Sequence, residues 1–166
     1  LLYKYPNIKF IENPAYNEAN NISSAMCVRY LLNNAYVCEG DILLHNPKII
    51  QKYQYKSNYC GIKCDRTDDW CLFENKGRIT GYAVGGENCH QMMGISYWTE
   101  EDGRKLGDCI KKVYEMPGGK ERYWDQVALG YYVEDFDIAI RECSFDDFIE
   151  IDTFNELKAI DKIYDV

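Results

Sequence analysis

Apolar and polar residues follow each other along the chain in blocks that predict strands alternating with helices. Strands are predicted by period-two alternation or by continuous apolar runs at residues 7–12, 35–38, 59–63, 70–74, 78–84, 92–98 and 148–151. The turn sequence at residues 75–77 indicates that the two strands flanking it, 70–74 and 78–84, form a hairpin.

Helices are predicted where apolar residues recur at helical spacing: residues 20–32, 47–55, 100–114, 121–129 and 154–163. Asn20 or Asn21 is the predicted cap of the first helix, and Pro47 suits the first turn of the second. Thr99 and Thr153 are predicted to cap the helices at 100–114 and 154–163. Strands that alternate with helices predict a three-layer α/β domain with a mostly parallel sheet and one antiparallel excursion.

Length and charge narrow the function classes. The 166 residues suit one compact domain, and 46% apolar residues allow a sizeable core. The formal net charge of −8 argues against a general nucleic-acid binder and against a polybasic membrane anchor, because both need clustered Lys and Arg. No apolar run approaches the roughly 18 residues that cross a bilayer, so a membrane-spanning protein is not expected.

The chain has eight cysteines, which are scattered through apolar segments instead of being concentrated in loops. No CxxC pair is present, and Cys60 and Cys64 are separated by three residues, so a structural zinc site is not favoured. A disulfide framework is typical of much smaller secreted domains. Buried reduced thiols are therefore expected, and with them a cytoplasmic location.

Two acidic residues lie where predicted strands end. Asp41 follows the strand at 35–38, and Asp152 follows the strand at 148–151. Ligands of open α/β sheets bind at the carboxyl ends of the strands, and two carboxylates there suit Mg²⁺. The alternative from pattern alone is that Asp41 begins a turn and Asp152 precedes a capped helix at the surface.

Ordered segments of the chain resemble the nucleotidyltransferase-like superfamily and, within it, the phosphocholine cytidylyltransferases. These segments are NPAY at 13–16, NNISSAMCVRYLL at 20–32, YVCEGDILL at 36–44, GISYW at 94–98, RYWDQV at 122–127 and FIEIDTFNEL at 148–157. The resemblance implies a three-layer, Rossmann-like nucleotidyltransferase fold whose sheet is mixed and mostly parallel. One domain of this kind is expected over residues 1–166.

The resemblance also implies a reaction. The acids at the positions of Asp41 and Asp152 bind the catalytic divalent ion in this superfamily, so both are predicted to be catalytic and to hold Mg²⁺. CTP is the predicted nucleotide and phosphocholine the predicted acceptor, which gives CDP-choline and pyrophosphate. Alternatives are 2-aminoethylphosphonate or a sugar phosphate as the acceptor, and a nucleotide-binding module without catalysis.

The start of the helix at 20–32 is the predicted nucleotide contact. Asn21 and Ser23 are assigned to the nucleotide because the family places this helix beside it, and free N–H groups at a helix start suit anionic or carbonyl partners. Helix capping is the alternative role for these side chains, and for Ser24 the two roles are equally favoured.

An aromatic and acidic group is the predicted acceptor site. Trp98, Tyr123, Trp124 and Asp125 are assigned to the substrate, because ring faces and a nearby carboxylate hold an ammonium head. Large aromatic residues are more often part of the core, which is the alternative for each ring taken singly. Trp70, beside Asp68 and Asp69, is a weaker candidate for the same pocket.

One expected part of the family pattern is not found in this sequence. The family begins with an apolar strand and a glycine-rich loop with Arg and Lys, which cradles the triphosphate. The domain is therefore expected to lack its N-terminal strand, loop and helix. If the molecule itself lacks them, an exposed apolar sheet would favour a homo-oligomer, and CTP turnover would not be expected.

Overall fold

A computed structural model describes residues 3–164. The domain expected over 1–166 thus includes residues 1, 2, 165 and 166, which lie outside the described part. The main sheet has four strands: β1 (Ala35–Cys38), β3 (Asn58–Asn75), β4 (Arg78–Trp98) and β5 (Ala139–Glu142), in the spatial order β1-β4-β3-β5. A separate two-stranded sheet is formed by β2 (Ile42–Leu44) and β6 (Phe148–Glu150).

Three α-helices accompany the sheets: α1 (Ile22–Val28), α2 (Glu100–Glu115) and α3 (Phe154–Ile160). The predicted caps of the last two are confirmed, because the Thr99 side chain accepts from the N–H of Asp102 and Thr153 forms a capping box with Glu156. Asn21 takes the cap position of α1 without a side-chain capping bond. Short 3₁₀ turns lie at Arg29–Leu31, Pro47–Ile49, Val133–Asp135 and Lys162–Tyr164.

Alternate residues of the main sheet pack on two different cores. Tyr59 and Trp98 face a larger cluster with α1 and α2, which includes Leu106, Ile110 and Val113. The opposite face carries a smaller cluster made of Ile49, Cys60, Ile62, Met93, Ile95 and Phe148. The sheet is therefore covered by helices on one face and by the β2–β6 sheet on the other.

The α/β class and the mixed sheet are confirmed, but the balance of strand directions differs from the prediction. Among residues 3–164, β3 and β5 form the parallel pair of the main sheet, while β1–β4 and β3–β4 are antiparallel. The hairpin predicted at residues 75–77 accounts for this. Lys76 and Gly77 have φ angles of 53° and 78°, a tight turn that forces the two longest strands to run in opposite directions.

Three predicted elements are wrong in type or length. Residues 7–12 form no strand, and Ile8, Phe10 and Ile11 are exposed, because the described chain places no partner strand beside them. The helix predicted over 47–55 is reduced to the 3₁₀ turn at Pro47–Ile49. The helix predicted over 121–129 is a set of turns followed by a π-helix at Val127–Tyr131.

The sequence pattern missed two strands and shortened two others. β2 and β5 were not predicted. The predicted strands at 59–63 and 70–74 are parts of the single long strand β3, and those at 78–84 and 92–98 are parts of β4. In β3, the polar stretch between the two predicted strands has the sequence CDRTDD, which carries no strand pattern. Its backbone groups pair with β4 across several register shifts, so tertiary pairing overrides the local sequence here.

No helix within residues 3–164 is long and apolar enough to cross a bilayer. All eight cysteines are free thiols, of which Cys60, Cys71, Cys89 and Cys109 are buried. The cytoplasmic location stays a prediction.

Candidate active site

One large cleft of about 800 Å³ collects most of the residues predicted to act on ligands. It is bordered by α1, the end of β1, the turn at 121–125 and the end of β6. Its acidic lining residues are Glu39, Asp41, Asp69, Asp125, Glu150 and Asp152. The part of its wall formed by residues 3–164 contains no Lys, Arg or His, so the cleft attracts cations.

The pairing of β2 with β6 brings two acidic segments together at one end of the cleft. Ile42 is opposite Glu150, and the N–H of Ile151 donates to the carbonyl of Asp41 over 2.9 Å. As a result, carboxylate oxygens of Glu39, Asp41 and Glu150 lie within 4.8 Å of one another. These residues form what we call the acid cluster. Converging carboxylates of this kind fit a hard divalent cation such as Mg²⁺.

The acid cluster differs in membership from the predicted pair of Asp41 and Asp152. Asp152 lines the same cleft but lies outside the three-carboxylate group. Glu39 and Glu150 were missed, although the sequence carries a usable signal. Each predicted ligand is preceded by a Glu at the same spacing, in Glu39-Gly40-Asp41 and Glu150-Ile151-Asp152.

Crowding of negative charge changes the proton affinity of the acid cluster. Although Glu150 is exposed, partial desolvation of its carboxyl group raises its pKa to about 6, and the charges of Asp152, Asp41, Asp69 and Glu39 contribute. Burial, with Asp41 and Asp69, also raises the pKa of Glu39. Groups that resist ionisation because like charges surround them are stabilised as anions when a cation binds among them.

A second part of the cleft wall is aromatic. Trp70, Tyr123 and Trp124 line it together with Asp125, and we call these residues the head pocket. The Trp70 ring stacks on Tyr82 with centroids 5.3 Å apart, and the edge of Tyr123 meets Trp70 at 5.2 Å. The cleft thus contains the predicted Tyr123, Trp124 and Asp125, and it also contains the weaker candidate Trp70.

Asp125 is a buried acid at the base of the head pocket, with 4% of its surface exposed. The hydroxyl of Tyr59, which is fully buried, donates a hydrogen bond to its Oδ1. Burial raises the pKa of Asp125 to about 7; the bond from Tyr59 opposes this rise, and the charge of Glu39 adds to it. A carboxyl group in this state gains from a nearby cation.

Trp98 lies elsewhere than predicted. Its side chain is 1% exposed, is not among the cleft-lining residues, and packs edge-on against Trp124 and Phe136. Its indole N–H donates to Ser96 over 3.0 Å. The ring supports Trp124 from behind, because the last residues of β4 enter the helix-covered core, and the predicted substrate contact is corrected to a packing role.

The two residues predicted to contact the nucleotide are also separated. Asn21 lines the cleft, and its Oδ1 accepts from the backbone N–H of Trp124 over 2.9 Å, which ties α1 to the head pocket. Ser23 is 2% exposed, and its hydroxyl donates to the carbonyl of Asn20. Ser24, not Ser23, lines the cleft, since the helical rotation between adjacent residues turns Ser23 inward.

The position of the Glu39 side chain requires a glycine at residue 94. The N–H of Glu39 donates to the carbonyl of Gly94 over 2.9 Å, so its backbone is fixed to β4. A Cβ atom on residue 94 would lie 2.6 Å from the carboxyl carbon of Glu39 and 2.8 Å from its Cγ. The side chain of Glu39 therefore lies directly over Gly94.

Comparison with known proteins found two curated relatives. The 2-aminoethylphosphonate cytidylyltransferase of Lancefieldella rimae is 29% identical over 165 residues, which are 97% of this chain and 67% of that protein. The choline-phosphate cytidylyltransferase of Haemophilus influenzae is 24% identical over 158 residues, 93% of this chain and 67% of that protein. No family model matches the chain.

Solved structures agree on the fold. The structure of CTP:phosphocholine cytidylyltransferase from Streptococcus pneumoniae has a TM-score of 0.84 at 22% identity, covering 98% of this chain and 71% of that one. A putative glucose-1-phosphate thymidylyltransferase from Bacillus anthracis has a TM-score of 0.60 at 13% identity, covering 89% and 62%. The chain therefore shares its fold with these two solved structures and is similar in sequence to the two curated cytidylyltransferases.

Proposed function

We propose that the protein transfers a cytidylyl group from CTP to a small phosphate or phosphonate that carries an ammonium head. The observation that carries this proposal is the cleft itself, in which a three-carboxylate cluster and an aromatic pocket with a buried acid share one cavity. The first end suits a metal-bound triphosphate, and the second suits an organic cation. Both curated relatives are cytidylyltransferases, in agreement with this division.

Mg²⁺ is the proposed metal. Asp41 is its first proposed ligand, with Glu150 and Glu39 close enough to join it and Asp152 beside them on the cleft wall. When bound, a divalent cation offsets negative charge on the phosphate oxygens of the nucleotide. The acids of the cleft would otherwise repel a triphosphate, because this wall offers no basic side chain among residues 3–164.

The proposed step is an in-line displacement at the α-phosphorus of CTP. An oxygen of the acceptor's phosphate or phosphonate forms a bond to that phosphorus, and the bond to the bridging oxygen of the β-phosphate breaks. Pyrophosphate leaves with that electron pair, and the product is the CDP-linked or CMP-linked acceptor. The chain's own residues contribute by alignment: the head pocket fixes one end of the acceptor so that its oxygen points at the acid cluster.

Phosphocholine is the acceptor proposed from the sequence, and 2-aminoethylphosphonate is the alternative. The two relatives are named for these two acceptors, and both acceptors carry a cationic head that the head pocket can hold. A sugar phosphate is less suited to this pocket, because its hydroxyl groups would find aromatic rings where they need polar partners.

The test is CTP-dependent release of pyrophosphate by the full-length protein with Mg²⁺. Phosphocholine, phosphoethanolamine, 2-aminoethylphosphonate and glucose 1-phosphate are supplied one at a time. We expect release with the ammonium-bearing acceptors and none with the sugar phosphate. If the protein binds CTP but releases pyrophosphate with none of the acceptors, it is a nucleotide-binding module and not an enzyme.

A further inference from the structure

Among the described carboxylates of the cleft, Glu39 lies close to both the acid cluster and the head pocket. Its oxygens lie within 4.8 Å of those of Asp41 and Glu150 in the acid cluster. The strand register also places it near the buried pair of Tyr59 and Asp125. The Glu39 side chain lies over Gly94, two residues before Ser96, and Ser96 is paired with Tyr59, whose hydroxyl donates to Asp125. Glu39 is also less exposed than Asp41 and Glu150, which places it towards the interior side of the cluster.

We propose that Glu39, seated on Gly94, joins Asp125 in a two-carboxylate site that selects acceptors with a primary ammonium over acceptors with a quaternary one. This inference rests on the proposed function and names the acceptor class of the same site, where it places the alternative acceptor, 2-aminoethylphosphonate, ahead of phosphocholine. It assigns to Glu39 a role in specificity, which is distinct from holding the metal.

The hydrogen bonding of Asp125 favours a ligand with N–H donors. Among residues 3–164, the Tyr59 hydroxyl is the one side-chain donor to its carboxylate, and it reaches Oδ1. The buried carboxylate therefore has acceptor capacity left for a ligand in the cleft. A primary ammonium brings three N–H donors, whereas a trimethylammonium brings none and would strip water from the carboxylate without replacing it.

The rings of the head pocket point to the same selection. A quaternary ammonium is held by the open faces of several rings. Here one face of Trp70 is covered by Tyr82, at an interplanar angle of 10°, and Trp124 is stacked with Tyr59 at 25°. Each of these stacked contacts removes one ring face from the ligand, so hydrogen bonds to the acids are expected to add to the affinity.

The position of the Glu39 carboxylate depends on the absence of a side chain at Gly94. An alanine at this position would overlap the Glu39 side chain and push its carboxylate away from its seat. The displaced atoms are the far end of a flexible side chain, so the fold has a way to relax. Gly94→Ala is therefore a way to move the Glu39 charge without removing it.

The experiment measures equilibrium binding of 2-aminoethylphosphonate and phosphocholine by calorimetry, with EDTA present and without CTP. Chelation removes the metal, so any contribution of Glu39 through a bound cation is excluded. We expect the natural protein to bind 2-aminoethylphosphonate about tenfold more tightly or better. Glu39→Gln should weaken that binding about tenfold or more and change phosphocholine binding by less than about threefold.

Two controls separate position from general charge. Gly94→Ala should lower the preference as Glu39→Gln does, whereas Gly81→Ala, whose added methyl meets nothing within 4 Å, should leave it unchanged. Asp146→Asn removes one exposed acid that does not line the cleft, and it should also leave the preference between the two ligands unchanged. Thermal unfolding of each variant verifies that it is folded.

Several results would overturn the inference. These are tighter or equal binding of phosphocholine by the natural protein, equal loss of both ligands in Glu39→Gln, or a Gly94→Ala variant that behaves like Gly81→Ala. The proposed function fails by a different readout, namely the absence of pyrophosphate release with every acceptor. The two failures are therefore distinguishable.

Discussion

The acid cluster and the head pocket share one cleft but are built in different ways. Asp41 and Glu150 are exposed and are brought together by backbone pairing between two short strands. Asp125 is buried and is held by a side chain from the long strand β3. Exposed carboxylates are stabilised in their charged form by water even when no cation is bound. A buried carboxylate stays charged only if a partner in the protein or a ligand stabilises it. The two ends should therefore respond differently to mutation and to pH.

The largest effect is expected at the acid cluster. Asp41→Asn keeps the shape of the turn and removes a charge from the proposed metal site, so the rate of pyrophosphate release should fall about a thousandfold. Acceptor binding in EDTA should remain within about threefold of the natural value, because the head pocket is untouched. Turnover that survives in this variant would refute the assignment of the metal to Asp41.

Asp125→Asn tests the other end. The amide can still accept from Tyr59 but carries no charge for the ammonium head. We expect KM for an ammonium-bearing acceptor to rise about 10- to 100-fold, while kcat at saturating acceptor changes little. Steady-state kinetics over a wide acceptor range measure both constants. A fall in kcat with an unchanged KM would place Asp125 in the chemical step instead.

Trp98 and Trp70 should separate packing from binding. Trp98→Phe leaves a space in the core, and the free energy of unfolding should fall by about 2 kcal/mol, as measured by urea denaturation. Acceptor KM should stay within about twofold. Trp70→Leu should do the reverse, with weaker acceptor binding and little loss of stability. A large rise in KM for Trp98→Phe would restore the direct contact predicted from the sequence.

The smallest expected effect is on pH. Since the pKa of Asp125 is about 7, this carboxyl is mostly neutral at pH 6 and mostly charged at pH 8. Affinity for the acceptor head should therefore drop about fivefold from pH 7 to pH 6. Asp125→Asn should lack this dependence. Titration calorimetry at several pH values is the measurement, and an equal slope in both proteins would contradict the assignment.

The same pKa shift acts on stability with the opposite sign. The folded protein keeps a proton on Asp125 up to about pH 7, whereas the unfolded chain releases it near the ordinary carboxyl pKa of 3.8. The stabilising contribution is thus complete at low pH and is lost as the pH rises towards 7. Binding and stability should therefore respond to Asp125 in opposite directions.

The sequence predicted the two ends of the cleft unequally. Asp41 was predicted because it follows a short apolar strand, and the resemblance of the segment around it to a known family strengthened that prediction. The companions Glu39 and Glu150 were missed because which carboxylates converge depends on the register of β2 with β6, and β2 itself was not predicted. The repeated Glu-x-Asp spacing was the available signal.

In the head pocket, the sequence did not reveal which aromatic side chains are buried in the core and which line the cleft. Trp98, Trp124 and Trp70 are the same residue type, and their local sequences do not indicate which ring faces the cleft. Trp98 is turned inward by its place at the end of β4, and Trp70 is turned to the cleft beyond a register shift in β3. Strand bulges of this kind depend on the partner strand as much as on the strand itself.

The bond from the N–H of Ile151 to the carbonyl of Asp41 also has a consequence for folding. It joins segments from the first and last thirds of the described chain, whereas the β3–β4 hairpin is made from neighbouring segments. Long loops close late because their entropy is lost before the contact compensates for it. The hairpin should therefore protect its amides from hydrogen exchange more strongly than the three-residue strands that hold Asp41 and Glu150. The acid cluster would then open and close locally while the rest of the protein stays folded.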